Sequence, residues 1–191
     1  MIIGITGGIG SGKSTIAQEL ARRDFAVYDC DREAKRIIAE DKDVQQEIVE
    51  LLGEEAFVDG KYNTEYVAKR VFEDKELLEK LNAIVHPAVG LDIMKRKPDF
   101  VESAILYESG LDILCDKVIV VEAPEEVRIT RTIGRDYKGV ASEENINKVR
   151  ARIRAQEVVS CQPSVVSLVV NNDGKTSIAE IVENILNWLK K

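Results

Sequence analysis

The sequence predicts an α/β fold, in which short strands alternate with helices around a parallel sheet. Apolar stretches bounded by glycines, prolines or acidic residues are the strand candidates: residues 2–6, 25–28, 100–107, 117–122 and 165–170. Between them, apolar residues recur at helical spacing, as at Ile16 and Leu20. A glycine-rich loop, residues 7–12, joins the first strand candidate to the first helix and indicates the ligand-facing end of the sheet.

The remaining elements follow in order along the chain. Residues 33–52 predict a helix interrupted near Asp41, Asp59-Gly60 predicts a turn, and residues 67–85 predict another helix. Pro87 is expected to reset the backbone after His86. Pro124, followed by two acidic residues, predicts a helix start, and residues 176–191 predict a closing amphipathic helix.

Two segments exceed what a simple alternation of strands and helices requires. Residues 60–95 are expected to form a helical substrate-binding insertion, and the arginine-rich residues 125–155 are expected to form a lid. The chain of 191 residues otherwise suits a single domain, residues 1–191.

The composition limits the classes of partner. A net charge of −7 makes the chain a poor general ligand for nucleic acid, whose binding depends on lysine and arginine. The three cysteines are scattered, so neither a zinc site nor a disulfide framework is expected. No membrane span and no signal peptide is expected either, which predicts a cytoplasmic protein.

The glycine-rich loop carries the strongest chemical signal. Residues 7–14 match G-x-x-x-x-G-K-[ST] in full, between a strand and a helix, as phosphate-binding loops require. Glycines let backbone N–H groups curl around a phosphate, and the helix start adds its positive dipole end. Lys13 is expected to reach the β- and γ-phosphates of a nucleotide, and the Ser14 hydroxyl to bind Mg²⁺. Gly8, Gly10, Ser11, Gly12 and Thr15 complete the expected nucleotide site.

Other phosphate-loop proteins fit less well. A GTPase would need an N/T-K-x-D segment, and the nearest string, Asn147-Lys148-Val149-Arg150, lacks the acid. The short chain and its arginines favour a small-molecule kinase that uses ATP, and a nucleotide-binding regulator without turnover is the alternative from another class.

Asp31 lies just past the second strand candidate, where a carboxylate can accept a proton from a substrate hydroxyl. Its other possible role is to cap the helix that begins near Arg32, and Asp29 could perform either task. From position alone the two roles are equally supported.

Three arginines, Arg128, Arg131 and Arg135, have the spacing of one helix face. Like charges four residues apart repel, so this spacing indicates a bound anion more than a solvated surface. His86, the only histidine, is not expected to be the base, and Glu108 follows the third strand candidate, where it could face the ligand.

Taken together, these motifs resemble the dephospho-coenzyme A kinase family. The resemblance rests on residues 5–15, Tyr28-Asp29-Cys30-Asp31, Ile84-Val85-His86-Pro87 and residues 106–110, and on late motifs at residues 152–156 and 171–174. It runs nearly end to end and in order. Ala104 and Glu102 stand where the family usually has proline and aspartate, and Gln162 where it has lysine.

The resemblance implies a P-loop core of five parallel strands, a helical coenzyme-binding region and a lid. It also implies that ATP phosphorylates the ribose 3′-hydroxyl of dephospho-coenzyme A, with Mg²⁺ as the cofactor. Asp31 is the implied base, and Lys13 and Arg135 are the other implied catalytic residues. Arg131 is implied to bind the nucleotide, and Thr6, Asp31, His86 and Glu108 the substrate.

Overall fold

The structure is a computed structural model that describes residues 1–72, 74–159 and 168–190. Its strands are β1 (Ile3–Thr6), β2 (Val27–Asp29), β3 (Phe57–Val58), β4 (Lys61–Tyr62), β5 (Phe100–Glu102), β6 (Lys117–Glu122) and β7 (Leu168–Asn171). Its helices are α1 (Lys13–Arg22), α2 (Cys30–Glu40), α3 (Lys42–Leu52), α4 (Thr64–Phe72), α5 (Lys75–Arg96), α6 (Glu125–Asp136), α7 (Glu143–Val159) and α8 (Ile178–Leu189). Cys161, Gln162 and the first half of the predicted strand at 165–170 lie outside the described residues.

The chain forms two compact units, one of Met1–Tyr28 with Pro98–Lys191 and the other of Asp29–Lys97. The first unit contains the predicted lid segment 125–155, and the second contains the predicted insertion 60–95. Their roles as lid and substrate-binding insertion stay predictions. None of the described helices has both the length and the apolar character that crossing a bilayer requires.

A five-stranded sheet with the order β2-β5-β1-β6-β7 organises the first unit, which confirms the predicted fold class. Strand β1 pairs in parallel with β5 and β6, and β6 pairs in parallel with β7. Parallel strands end at one edge, so the residues that follow β1, β5, β6 and β7 meet there. The core of this unit is apolar and includes Ile3, Ile5, Ile16, Leu20, Phe100, Ile119, Val121, Ile181, Val182 and Ile185.

The third strand candidate is shorter than its sequence indicates. Residues 100–107 predict one strand, but β5 ends at Glu102. Ser103 still donates its backbone N–H to the Ile5 carbonyl, and its hydroxyl then accepts the Ile105 N–H at 3.2 Å. This local bond turns the chain away from the sheet, because a serine side chain can replace a backbone partner.

The second unit is mostly helical, and it corrects one expectation. Pro87 does not reset the backbone, because α5 continues through it from Lys75 to Arg96. The missing proline N–H costs one helical bond. Buried residues at helical spacing on both sides of Pro87 hold the helix together across this gap: Leu81, Val85, Val89 and Ile93. Asp41 separates α2 from α3, and Asp59-Gly60 joins β3 to β4, as the sequence predicts.

A cluster of charges fastens α2, which carries Asp31, to α5. Glu33 on α2 is only 5% exposed and accepts a hydrogen bond from Arg36 at 2.7 Å. Arg36 also donates to Asp92 on α5 at 2.7 Å, and Arg96 pairs with Glu33 at 3.3 Å. The hydrogen bond from Arg36 holds the pKa of Glu33 below its ordinary value of 4.5. The cluster therefore fixes the direction in which α2 begins.

We expect Glu33→Gln to lower the free energy of unfolding at neutral pH by about 2 kcal/mol, because the charged contacts of Glu33 with Arg32, Arg36 and Arg96 are weakened. Since the pKa of Glu33 is depressed in the fold, its contribution is present above the unfolded value of 4.5 and is lost as the pH falls below it. The measurement is urea unfolding of the wild type and of Glu33→Gln at pH values above and below 4.5. Equal stability of the two at neutral pH would contradict the expectation.

Candidate active site

The glycine-rich loop connects β1 to α1 at the edge of the sheet where the parallel strands end. Gly10 and Gly12 have φ values of 76° and 90°, a left-handed conformation that other residues rarely adopt. A side chain at Gly10 would collide with the Arg128 backbone, and one at Gly12 would collide with the Asn172 amide. The Thr15 and Ile16 N–H groups donate to the Gly12 carbonyl, and the N–H groups that precede them at the start of α1 are the ones that can bind an anion.

The outer side of the loop is held by side chains from distant parts of the first unit. Arg128 donates from Nε to the Ile9 carbonyl at 2.9 Å, and Arg131 donates from Nη1 to the Ser11 carbonyl at 3.1 Å. The Asn172 amide also donates to the Ser11 carbonyl, at 2.9 Å. These three side chains occupy loop carbonyls, which leaves the opposite side of the loop for a ligand.

Gln156 on α7 ties the loop to the segment after β5. Its Oε1 accepts the Ile9 N–H at 2.7 Å, and its Nε2 donates to the Ala104 carbonyl at 3.2 Å. The Ile9 side chain also packs against the small apolar cluster between α6 and α7. The backbone of Ile9 is therefore bonded to α7, and its side chain packs against residues of both α6 and α7.

Three side chains of the first unit form a charged group at the start of α1. The Lys13 ammonium lies 3.8 Å from Glu102 Oε1, and the Ser14 hydroxyl donates to the same oxygen at 3.3 Å. The side chains of Lys13 and Glu102 are only 12% and 9% exposed. Glu102 ends β5, next to β1 in the sheet. A cation for phosphate and two oxygens suited to a hard metal ion are thus brought together.

The remaining residues expected near this edge have different surroundings. Thr6 is buried at the end of β1, and Thr15 is exposed in the first turn of α1. Glu108 is half-buried in the turns after β5 rather than at a strand end. Within residues 1–72, 74–159 and 168–190, no cluster of three or more His, Cys, Asp or Glu residues is arranged to hold a metal ion.

Arg131 and Arg135 both belong to α6, as their spacing predicts, but they have different partners. Arg131 contacts the loop, whereas Arg135 is 61% exposed and donates to Asp136 at 2.6 Å. A hydrogen bond from Arg135 and a weaker contribution from the hydrogen bond of Arg152 lower the pKa of Asp136 to about 2. Nucleotide binding by Arg131 and a catalytic role of Arg135 stay predictions, and the geometry gives Arg131 a structural task in addition.

We expect Arg135→Ala to lower turnover by roughly 10–100-fold and to weaken ATP binding much less, because its charge serves the transferring phosphoryl group. Arg150→Ala is the matched control, since Arg150 pairs with Glu125 and Glu126 at the surface. Steady-state kinetics with an ATP titration measures both quantities. If Arg135→Ala and Arg150→Ala have equal kinetics, Arg135 belongs only to a solvated face.

In the second unit, the structure separates the tasks of the two aspartates near the start of α2. Asp29 is the helix cap, because its carboxylate accepts the Arg32 N–H at 3.0 Å. Asp31 is an exposed residue of the first helical turn, where the helix dipole favours an acid. The capping role that the sequence left open for Asp31 therefore belongs to Asp29. The role of Asp31 as a base stays a prediction.

His86 lies on α5, also in the second unit, and is half-buried. Burial lowers its pKa from the ordinary value of 6.5, so the ring is neutral at neutral pH. A neutral imidazole has one donor and one acceptor, which suits the polar contact with a substrate that the sequence predicts.

Four residues hold the loop or the start of α1 by contacts that the sequence does not predict: Glu102, Arg128, Gln156 and Asn172. The sequence predicts Arg128 only as part of an anion-binding helix face, and it leaves open whether Glu102 or Asp29 helps to hold Mg²⁺ through water. Asn172 and Gln156 belong to the late motifs, and Arg128 shares the helix face of Arg131. The hydrogen bonds of Arg128, Gln156 and Asn172 to the loop span 119, 147 and 161 positions of the chain, so the spacing of these residues gives no indication of their partners.

Comparison with known proteins gives a consistent result. Residues 1–178 match the family model described as dephospho-CoA kinase. A dephospho-CoA kinase of Fusobacterium nucleatum is 45% identical over 143 residues, which are 71% of this chain and 74% of that protein. One from Carboxydothermus hydrogenoformans is 33% identical over 200 residues, covering 100% of this chain and 93% of that protein.

Solved structures agree on the fold. The Thermus thermophilus protein TT1252 is 32% identical, with a TM-score of 0.76 and coverage of 100% of this chain and 96% of that one. A shikimate kinase from Acinetobacter baumannii has a TM-score of 0.59 at 16% identity, covering 99% and 92%, and so shares the fold alone. The match over residues 1–178 and the identity to full-length relatives establish the family: this chain belongs to the dephospho-CoA kinases.

Proposed function

We propose that this chain transfers the γ-phosphate of ATP to the ribose 3′-hydroxyl of dephospho-coenzyme A, giving coenzyme A and ADP. The observation that carries the proposal is the phosphate loop with Lys13, Ser14 and Glu102 gathered at the start of α1. Family membership supplies the acceptor. We also propose that the chain acts in the cytoplasm and that this reaction is the final step of coenzyme A synthesis.

In the proposed mechanism, loop N–H groups and Lys13 bind the β- and γ-phosphates and neutralise charge that develops during transfer. Asp31 accepts the proton of the 3′-hydroxyl, and that oxygen attacks the γ-phosphorus while the bond to the ADP oxygen breaks. Arg135 stabilises the transferring group. Positioning and electrostatics provide most of the rate enhancement, because the loose transition state leaves little covalent chemistry to the protein.

Mg²⁺ is the proposed cofactor, and the residues present fit it. Ser14 Oγ and Glu102 Oε1 lie 3.3 Å apart and are the oxygen donors that this hard ion prefers. Ser14 would bind the ion directly, and Glu102 would hold it directly or through water. When bound, the ion supplies charge neutralisation to the phosphates.

Chelation is expected to abolish turnover, because the protein offers few direct ligands and the nucleotide must provide the others. Excess EDTA should remove activity in an ADP-release assay, and an excess of Mg²⁺ should restore it. Full activity in excess EDTA would show that no divalent cation is needed.

The acceptor is tested by comparing ADP release with dephospho-coenzyme A, adenosine and AMP at equal concentrations. We expect turnover with dephospho-coenzyme A to exceed the other two. Preference for adenosine or AMP would make the chain another small-molecule kinase, and ATP binding without turnover on any acceptor would make it a nucleotide-binding protein.

A further inference from the structure

Asn172 is a buried polar residue next to the phosphate loop. It follows β7 directly and is 1% exposed. Its backbone N–H donates to the Glu122 carbonyl at 2.7 Å, which continues the pairing of β7 with β6 beyond the last residue of the strand. The sheet therefore fixes the Asn172 backbone before its side chain makes any contact.

The side chain of Asn172 makes two hydrogen bonds with opposite ends of its amide. Its Nδ2 donates to the Ser11 carbonyl at 2.9 Å, and its Oδ1 accepts Nη2 of Arg131 at 3.1 Å. Arg131 Nη1 completes the arrangement, because it donates to the Ser11 carbonyl at 3.1 Å and to the Asn172 carbonyl at 3.2 Å. Two donors thus converge on one loop carbonyl.

We propose that Asn172 is a positioning residue that, with Arg131, fixes the Ser11–Gly12 peptide so that the Gly12 N–H faces bound phosphate. A trans peptide is planar and its N–H points opposite to its C=O. Holding the Ser11 carbonyl on the side of Asn172 and Arg131 therefore directs the Gly12 N–H to the other side. The inference rests on the proposed use of a nucleotide by this loop.

The loop needs this restraint because Gly12 is conformationally free. Gly12 has a φ of 90° and no side chain that would resist rotation of the preceding peptide. A peptide rotated by half a turn would present a carbonyl to the phosphate and repel it. The absent Cβ is also what admits the restraint, since a side chain at Gly12 would collide with Asn172 Nδ2.

The two bonds also strengthen the N–H as a donor. Hydrogen bonds accepted by a carbonyl polarise its peptide group, and chains of such bonds reinforce one another at low dielectric. A cationic donor polarises the group more than a neutral one, and here Arg131 acts on the same carbonyl as Asn172. Both effects strengthen the hydrogen bond that the Gly12 N–H can donate to an anionic phosphate.

The test measures ADP affinity in the presence of Mg²⁺ by titration calorimetry, so it needs no acceptor substrate. Asn172→Asp keeps the acceptor for Arg131 but places a carboxylate oxygen against the Ser11 carbonyl. We expect ADP to bind at least about tenfold more weakly, the equivalent of one lost hydrogen bond and a repulsion. Asn171→Ala, at the exposed neighbouring position, is the matched control and should bind ADP as the wild type does.

Melting curves and Michaelis constants separate positioning from mere stability. If Asn172→Asp is folded at the assay temperature, the KM for ATP should rise while the KM for dephospho-coenzyme A stays constant. Wild-type ADP affinity in the folded variant, or equal increases in both KM values, would overturn the inference. Should Asn172→Asp fail to fold, Asn172→Ser provides the same comparison. A wild-type chain that binds ADP but leaves dephospho-coenzyme A unphosphorylated would reject the proposed acceptor and leave this inference standing.

Discussion

Asp31→Asn is expected to lower turnover with dephospho-coenzyme A by at least roughly 10²-fold while ATP binding stays near the wild-type value. Asparagine matches the size of aspartate but cannot take the proton from the 3′-hydroxyl. Stability should change little, because Asp29 rather than Asp31 caps α2. The loose transition state limits the loss, since the proton leaves late in the reaction.

Asp29→Asn is the informative comparison for this prediction. Asparagine caps helices as well as aspartate does, so the variant should keep both its fold and most of its turnover. ATP affinity by titration and turnover at saturating substrate are measured for both variants. Near-normal turnover in Asp31→Asn would exclude it as the base, and equal losses of ATP affinity and turnover would give it a metal or nucleotide role instead.

Lys13→Ala is expected to reduce turnover by roughly 10²–10³-fold, the usual effect of removing a charge that stabilises the transition state. The fold should survive, because Lys13 lies at the end of the loop and its ion pair with Glu102 is long, at 3.8 Å. Glu102 keeps the Ser14 hydroxyl as a partner after the substitution.

Lys148→Ala serves as the control for Lys13→Ala, since Lys148 pairs only with the nearby Glu144 on the exposed side of α7 among the described residues. Its turnover should equal that of the wild type. Melting temperature and kcat/KM are measured for both variants. A Lys13→Ala protein that melts normally and retains wild-type turnover would show that the loop is no phosphate site.

The features of the fold and the site that could be predicted are those that depend on residues close together in the sequence. The loop motif lies between strand and helix, Asp41 separates α2 from α3, and Asp59-Gly60 forms the turn between β3 and β4, because each depends on local backbone preferences. The local preferences of proline predict a break at Pro87, but α5 continues through this residue. Burial of the α5 face on both sides outweighs one missing hydrogen bond, and burial is a property of the tertiary fold.

The supports of the loop could not be predicted. Asn172, Gln156 and Arg128 contact the loop from positions 119 to 161 residues away, and only the sheet order and the α6–α7 pair bring them there. The choice between Asp29 and Asp31 as the cap was similarly open. The side-chain hydrogen bond to Arg32 decided it, and two aspartates separated by one residue are both able to make such a bond.

The most direct test of the account is the position of the transferred phosphate. ATP carrying a labelled γ-phosphate is incubated with Mg²⁺, the wild-type chain and either dephospho-coenzyme A or its 3′-deoxy analogue. We predict that the label appears in coenzyme A from the first acceptor and that the analogue, which lacks the attacking hydroxyl, receives none. Label on the 3′-deoxy analogue, or none on dephospho-coenzyme A, would contradict the account.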